Sequence, residues 1–270
     1  MEIAINTQKK ETTTTDQYSL RKILGIWVLG GLPMWVLGWL IYPTLSRGMP
    51  PMDAGMLRIK LFTFGLAWQF VLAMFILYRE EGNIRLDTIS RRFWLKQPIS
   101  PKTGKTNNRL WWWLIPFALS FFAFEMFAST PVTELWLRLC PFFTAPEGFE
   151  PSGLFAPELL PQWKGVWELF WWFMAIGIFN TVLGEEFLYR GVLLPKMNGV
   201  FGDWDWVANG VLFTIYHIHQ PWTWLAILPS DLGLAFTGKY FQSNWFPIIL
   251  HSLQTIVFMF LILGVVMGLA

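Results

Sequence analysis

Three features of the sequence predict an all-α fold, a polytopic transmembrane bundle of about seven spans. Apolar runs long enough to cross a hydrocarbon core of about 30 Å recur along the chain. Hydrophobic residues make up 54% of the 270 positions and charged residues only 14%, with 18 Trp and 25 Phe. The basic residues are gathered in particular loops, as membrane topology would place them. A net charge of +2 is too small to suggest a nucleic-acid partner. The single Cys140 excludes an intramolecular disulfide or a Cys-based metal cage and is expected only to pack.

Residues 1–22 are polar and Thr-rich, with Lys9, Lys10, Arg21 and Lys22, and read as a disordered or interfacial cytoplasmic arm. The apolar run that follows starts too late and runs too long for a simple cleaved signal peptide. Residues 23–166 supply three spans, Ile23 to Tyr42, Leu61 to Tyr78 and Leu110 to Phe127. The third opens on Trp111, Trp112 and Trp113, an expected interfacial aromatic belt, and Glu125 near its far end is expected to be interfacial. Between the second and third spans lie Arg79, Arg85, Arg91, Arg92, Lys96, Lys102, Lys105 and Arg109. The opposite face holds only Arg47, Arg58, Lys60, Arg138 and Lys164, so the positive-inside rule makes the arm and the basic loop cytoplasmic. The Pro- and Glu-rich stretch Ala128 to Val166 then faces outward.

Residues 167–270 form the remaining core. A fourth helix from Trp167 to about Lys196 exceeds one bilayer thickness and must be tilted or broken. A turn at Met197 to Asp205 leads to a fifth helix, Trp206 to about His219. A short sixth span, Trp222 to Phe236, is expected to be interrupted by Pro229 and Asp231, and Asn244 to Gly268 is the seventh. Such irregular spans are tolerated only where they line protein or a cavity.

The fourth helix carries Glu185, Glu186 and Arg190 between strongly apolar runs. A charge at bilayer depth costs roughly 3 kcal/mol on insertion scales, so these side chains face partners rather than lipid. Glu186 and Arg190 are four apart and share a helix face. Glu185, about 100° away, is left as the free carboxylate. The plain alternative is an ion network that only pins helices together. Counted from the turn at 197–205, Glu185 and His217 reach a similar depth, roughly 15 to 20 Å at 1.5 Å per residue. His251 enters from the same side and is somewhat shallower. His219, about 200° round from His217, is expected off that face and interfacial. A carboxylate and an imidazole sharing a water in a dry pocket can generate a nucleophile without a covalent intermediate. Ser252 has no base placed beside it, and no His-Glu-x-x-His helix, Gly-rich phosphate loop or Cys pair is present.

These residues resemble the CAAX prenyl endopeptidase and bacteriocin-processing family of intramembrane glutamic proteases. Its Glu-Glu-x-x-x-Arg motif corresponds to Glu185 through Arg190, its Phe-x-x-x-His to Phe213 through His217, and its His-x-x-x-Asn to His251 through Thr255. Thr255 stands where the family has Asn, a departure that shortens one oxyanion donor. The resemblance spans about Trp167 to Thr255. It implies Glu185 as base, His217 as its partner on the catalytic water, and His251 with Thr255 in the oxyanion region. Glu186, Arg190 and Phe213 would be supporting residues, around a pocket between the fourth, fifth and seventh helices. The function implied is an intramembrane endopeptidase acting near the cytoplasmic membrane face, without metal or other cofactor, on a peptide or protein substrate with or without a lipid. The bilayer is its other partner, and a bacterial inner (plasma) membrane its expected location. The alternatives are a metal-dependent membrane protease or transporter, since Glu185, Glu186, His217 and His251 could ligate a divalent ion, and an inactive scaffold or immunity-type protein.

Overall fold

The computed structural model describes residues 16–146, 148–149 and 151–269, so the arm is described only from Asp16 and the rest of that expectation lies outside these residues. Among the described residues the regular structure is helical, with no strand. The helices are α1 (Leu20–Leu45), α2 (Pro51–Glu81), α3 (Leu86–Arg92), α4 (Asn108–Phe127), α5 (Ser129–Leu139), α6 (Trp167–Lys196), α7 (Asp205–Tyr216), α8 (Trp224–Phe241) and α9 (Trp245–Met267). Five of them, α1, α2, α4, α6 and α9, are long and apolar enough to cross a membrane. The first three expected spans thus lie within α1, α2 and α4. The other two expected spans fall on α7 and α8, of 12 and 18 residues, which are not among those five.

Sequence chemistry explains the boundaries. Ser19 caps α1 by accepting from the Lys22 amide at 3.3 Å. α2 ends on Gly82 at φ 71°, a left-handed position that glycine occupies without strain. The expectation that α6 is tilted or broken is met by irregularity. It runs as α-helix over Trp167–Ile178, widens to π-helix over Phe179–Leu183, turns at Gly184, and resumes as π-helix over Glu186–Leu193. A π-turn inserts a residue and re-aims every side chain after it. Gly184 is required there, because a Cβ would lie 2.7 Å from the Leu66 carbonyl oxygen of α2.

One expectation is overturned. α8 is not interrupted at Pro229 or Asp231 but runs unbroken through both. The lost N–H at Pro229 costs one hydrogen bond, which close packing offsets: a Cβ at Gly210 of α7 would lie 2.9 Å from the Leu232 Cα. Asp231 is tolerated because its carboxylate accepts from the Thr214 hydroxyl at 2.7 Å. Within the expected outer stretch, α5 is an additional helix, and its Trp136 indole donates to the Pro221 carbonyl at 2.9 Å.

The ends of the bundle sort as the charge pattern suggests. Tyr18, the basic loop, the end of α6 and the α8–α9 turn meet at one end, through Tyr18 N to Lys196 O (3.0 Å), Ile99 N to Phe241 O (2.9 Å) and Asn244 N to Trp94 O (2.8 Å). There the buried Arg92 donates to the Gly191 and Val192 carbonyls at 3.1 and 3.3 Å and pairs with Glu80 at 2.9 Å. Tyr18 donates to the same Glu80, and burial pushes its hydroxyl pKa up. At the other end the Tyr42 hydroxyl donates to the Gly148 carbonyl at 3.1 Å, and the Gly165 amide to Val266 at 2.8 Å. Trp112 and Trp113 are exposed, as a belt requires, whereas Trp111 stacks on Phe246 at 5.4 Å.

Candidate active site

Glu185 lies just past the Gly184 turn and is 2% exposed. It lines a cavity of about 260 Å³ with Asn180, His217, Thr255, His219 and Arg58. Asn180 sits on the π-turn before Gly184. With its nitrogen turned to the carboxylate, the orientation that matches donors to acceptors, its amide donates to both Glu185 oxygens at 3.2 and 3.1 Å. The other end of that amide faces His251 Nε2 at 3.3 Å.

His217 is the first residue beyond α7. Its Nδ1 donates to the Phe213 carbonyl one turn back, at 3.0 Å, which leaves the Nε2 lone pair as the free acceptor. Phe213 therefore acts twice, because its ring also lies 3.7 Å beneath the Arg190 guanidinium. Glu185 and His217 share the cavity wall without a direct hydrogen bond among the described residues.

Glu186 and Arg190 are fully buried and paired at 3.4 Å. Glu186 has a second partner that spacing did not indicate: its Oε1 accepts from His251 Nδ1 at 2.9 Å. The same imidazole brings Nε2 to 4.0 Å from Glu185, so His251 bridges the adjacent carboxylates. On its other side it lines a separate apolar cavity of about 390 Å³ between α4, α8 and α9. The structure thus groups Glu185, His217 and Thr255 around one cavity. His251 lies at its edge, and Glu186, Arg190 and Phe213 lie behind. Ser252 donates to Thr181 at 3.0 Å.

The expectation for His219 is overturned. It is 4% exposed, lines the same cavity as His217 and packs edge-on against Phe62 at 4.9 Å. The helix ends at Tyr216, so the 100° per residue used to separate the two imidazoles does not apply between them, and their rings lie 5.7 Å apart. Several residues of the site lay outside the motifs. Asn180 holds Glu185, while Asn209 and Asn244 donate to the Tyr189 and Glu186 carbonyls of the π-helix at 2.8 and 3.1 Å. Their signal was a lone carboxamide in an apolar stretch, which at membrane depth must find a partner.

Among the described residues no group of three or more His, Cys, Asp or Glu side chains is placed to hold a metal ion. The cavity is lined from the half of the bundle that carries Arg58, Leu154 and Gln220, the end opposite the basic loop.

Residues 167–257 match the family described as type II CAAX prenyl endopeptidase Rce1-like. The resemblance carried by the three motifs is borne out, and the Rce1-like segment holds all seven residues singled out from them. Comparison with curated proteins and with solved structures returned no match. The Rce1-like segment is the part of the chain that contains both π-turns of α6, all of α7 and α8, and α9 through Val257. α1 and α2, outside the match, complete the cavity with Met34, Arg58 and Leu66.

Proposed function

We propose that the protein is an intramembrane glutamic endopeptidase that hydrolyses a peptide bond with a water activated by Glu185 and His217. The observation that carries this reading is the cavity shared by a carboxylate and an imidazole with a free Nε2, both residues of the segment that matches a protease family. At about 260 Å³ the cavity exceeds the roughly 10 to 15 Å³ that one water needs.

Glu185 takes one proton from the water while His217 Nε2 accepts a hydrogen bond from the other. The hydroxide so formed attacks the scissile carbonyl carbon, and its π electrons move onto oxygen. The Thr255 hydroxyl donates to that oxyanion, and His251 lies beside it in the same region. When the tetrahedral species collapses, the C–N bond breaks and the proton held on Glu185 passes to the leaving amine. Asn180 keeps Glu185 aimed into the cavity, and Glu186 with Arg190 holds His251.

The substrate is a peptide or protein in or at the bilayer, with or without a lipid, and we place the enzyme in a bacterial inner membrane. Lining from the Arg58 half of the bundle argues for cleavage on the face opposite the basic loop. Cleavage at the cytoplasmic face and a cytoplasmic basic loop, both expected from the sequence, are therefore alternatives to each other.

The test is proteolysis by the purified protein after exhaustive chelation. Undiminished cleavage is expected. Loss of activity that zinc restores would favour the metal-dependent reading.

A further inference from the structure

Asn180 is one polar neighbour of the Glu185 carboxylate. Tyr216 is another, and the chemistry above gives it no part. It is the last residue of α7, next to His217, and it is fully buried. Its hydroxyl makes no close hydrogen bond among the described residues, and Glu185 and Gln69 offer polar side chains within its reach.

The phenol ring is held from several elements. It lies 5.0 Å from the ring of Tyr189, four residues beyond Glu185 on α6, and stacks on Phe213 at 5.5 Å. From α1, a Cβ at Gly31 would lie 3.5 Å from the ring's Cδ2. Gln69 arrives on α2, three residues past the Leu66 carbonyl that abuts Gly184, and its Nε2 donates to the Gly30 carbonyl of α1 at 3.2 Å. A ring gripped in this way leaves the hydroxyl proton only its rotation about the C–O bond. A buried hydroxyl left unbonded is costly, so that proton turns to the best acceptor in reach. An ionised carboxylate is a stronger acceptor than a neutral carboxamide, which selects Glu185 over Gln69. The consequence lies in the chain that carries the donor. Glu185 and His217 have no direct hydrogen bond, and Tyr216 ties the carboxylate to the residue adjoining that imidazole.

We propose that Tyr216 is a positioning residue, donating to Glu185 and so fixing the gap between the carboxylate and the His217 imidazole in which the reacting water is held. The assignment rests on the endopeptidase reading. It adds to that reading a residue at a position the Phe-x-x-x-His motif leaves free, and it gives α1 and α2, outside the family match, a share in aiming the base.

The test uses Tyr216→Phe, which removes the hydroxyl and keeps the ring, in full-length protein reconstituted in nanodiscs. The substrate is the peptide that the wild type cleaves fastest in a library of decamers, and melting temperature is measured alongside. Turnover is expected to fall by about 10- to 100-fold, the scale of a misaimed catalytic group. KM is expected to stay within about twofold of wild type, with the melting temperature almost unchanged. 3-Fluorotyrosine at position 216 keeps the donor and is expected to keep most of the turnover. In that fluorinated protein the fluorine NMR line is expected to move when Glu185 is replaced by Gln, because the hydroxyl loses its charged acceptor. Should Tyr216→Phe not fold, the fluorotyrosine protein decides the matter. Wild-type turnover in Tyr216→Phe, a loss matched by a fall in melting temperature, or a fluorine line indifferent to Glu185 would overturn the positioning role and leave the endopeptidase standing. Folded wild-type protein that cleaves no peptide, or a Glu185→Gln variant that turns over normally, would overturn the endopeptidase reading and the assignment with it.

Discussion

At the scale of single residues, adjacent glutamates are separated by what surrounds them. Glu186 lies between Arg190 and His251, whereas Glu185 accepts from the Asn180 amide and faces the cavity. Asn180→Ala is expected to lower kcat by about 10- to 100-fold, the scale of a misaimed catalytic group, and to leave the melting temperature almost unchanged. Steady-state kinetics and thermal unfolding in the same detergent check this. Phe213 offers a contrasting case, because its ring carries the Arg190 cation. Phe213→Leu is expected to cost about 1 to 3 kcal/mol through lost cation–π contact and packing, seen as a lower melting temperature. The motif residues were legible because charge and imidazole in apolar helices demand an explanation. Asn180 was not, since a single carboxamide looks the same whether it holds a catalytic group or a neighbouring backbone.

At the scale of elements, the site depends on how α6 departs from a regular helix. Excess length showed in the sequence that something must bend. The position of the π-turns did not show, because widening a turn changes side-chain direction without changing hydrophobicity. For the same reason Pro229 and Asp231 misled: local propensity was outweighed by the packing of α8 on α7. Gly184→Ala is expected to destabilise by at least about 1 to 3 kcal/mol, because the new Cβ would meet backbone carbonyls of Leu66 and Phe179 that cannot yield. It should reduce turnover as well, by moving Glu185. Arg92 fastens the far end of the same helix to the basic loop. Arg92→Gln leaves Glu80 with one cationic partner fewer and two carbonyls unpaired, and a loss of about 3 kcal/mol in unfolding free energy is expected.

At the scale of the whole molecule, the helical membrane class and the grouping of loops at two ends were legible from apolar run length and basic charge. The shared end of Tyr18, the basic loop and Asn244 fits that reading. What the motifs could not supply was the part α1 and α2 play in closing the cavity, since long-range packing leaves no pattern within one segment. The topology is tested with Cys140 replaced by Ser and single cysteines placed at Lys102 and at Gly48. In intact cells an impermeant thiol reagent is expected to label the Gly48 position and to spare the Lys102 position, and the reverse would invert the molecule. The claim on which everything else rests is the division of labour between the two glutamates. Its most direct measurement is turnover and melting temperature of Glu185→Gln and Glu186→Gln, side by side in one detergent. Glu185→Gln keeps size and hydrogen bonding but removes the base, so the protein should stay folded while turnover falls by several orders of magnitude. Glu186→Gln strands the buried Arg190 and should cost about 3 to 5 kcal/mol of stability. An unfolded Glu185→Gln, or one that turns over normally while a fully stable Glu186→Gln is inactive, would contradict the account.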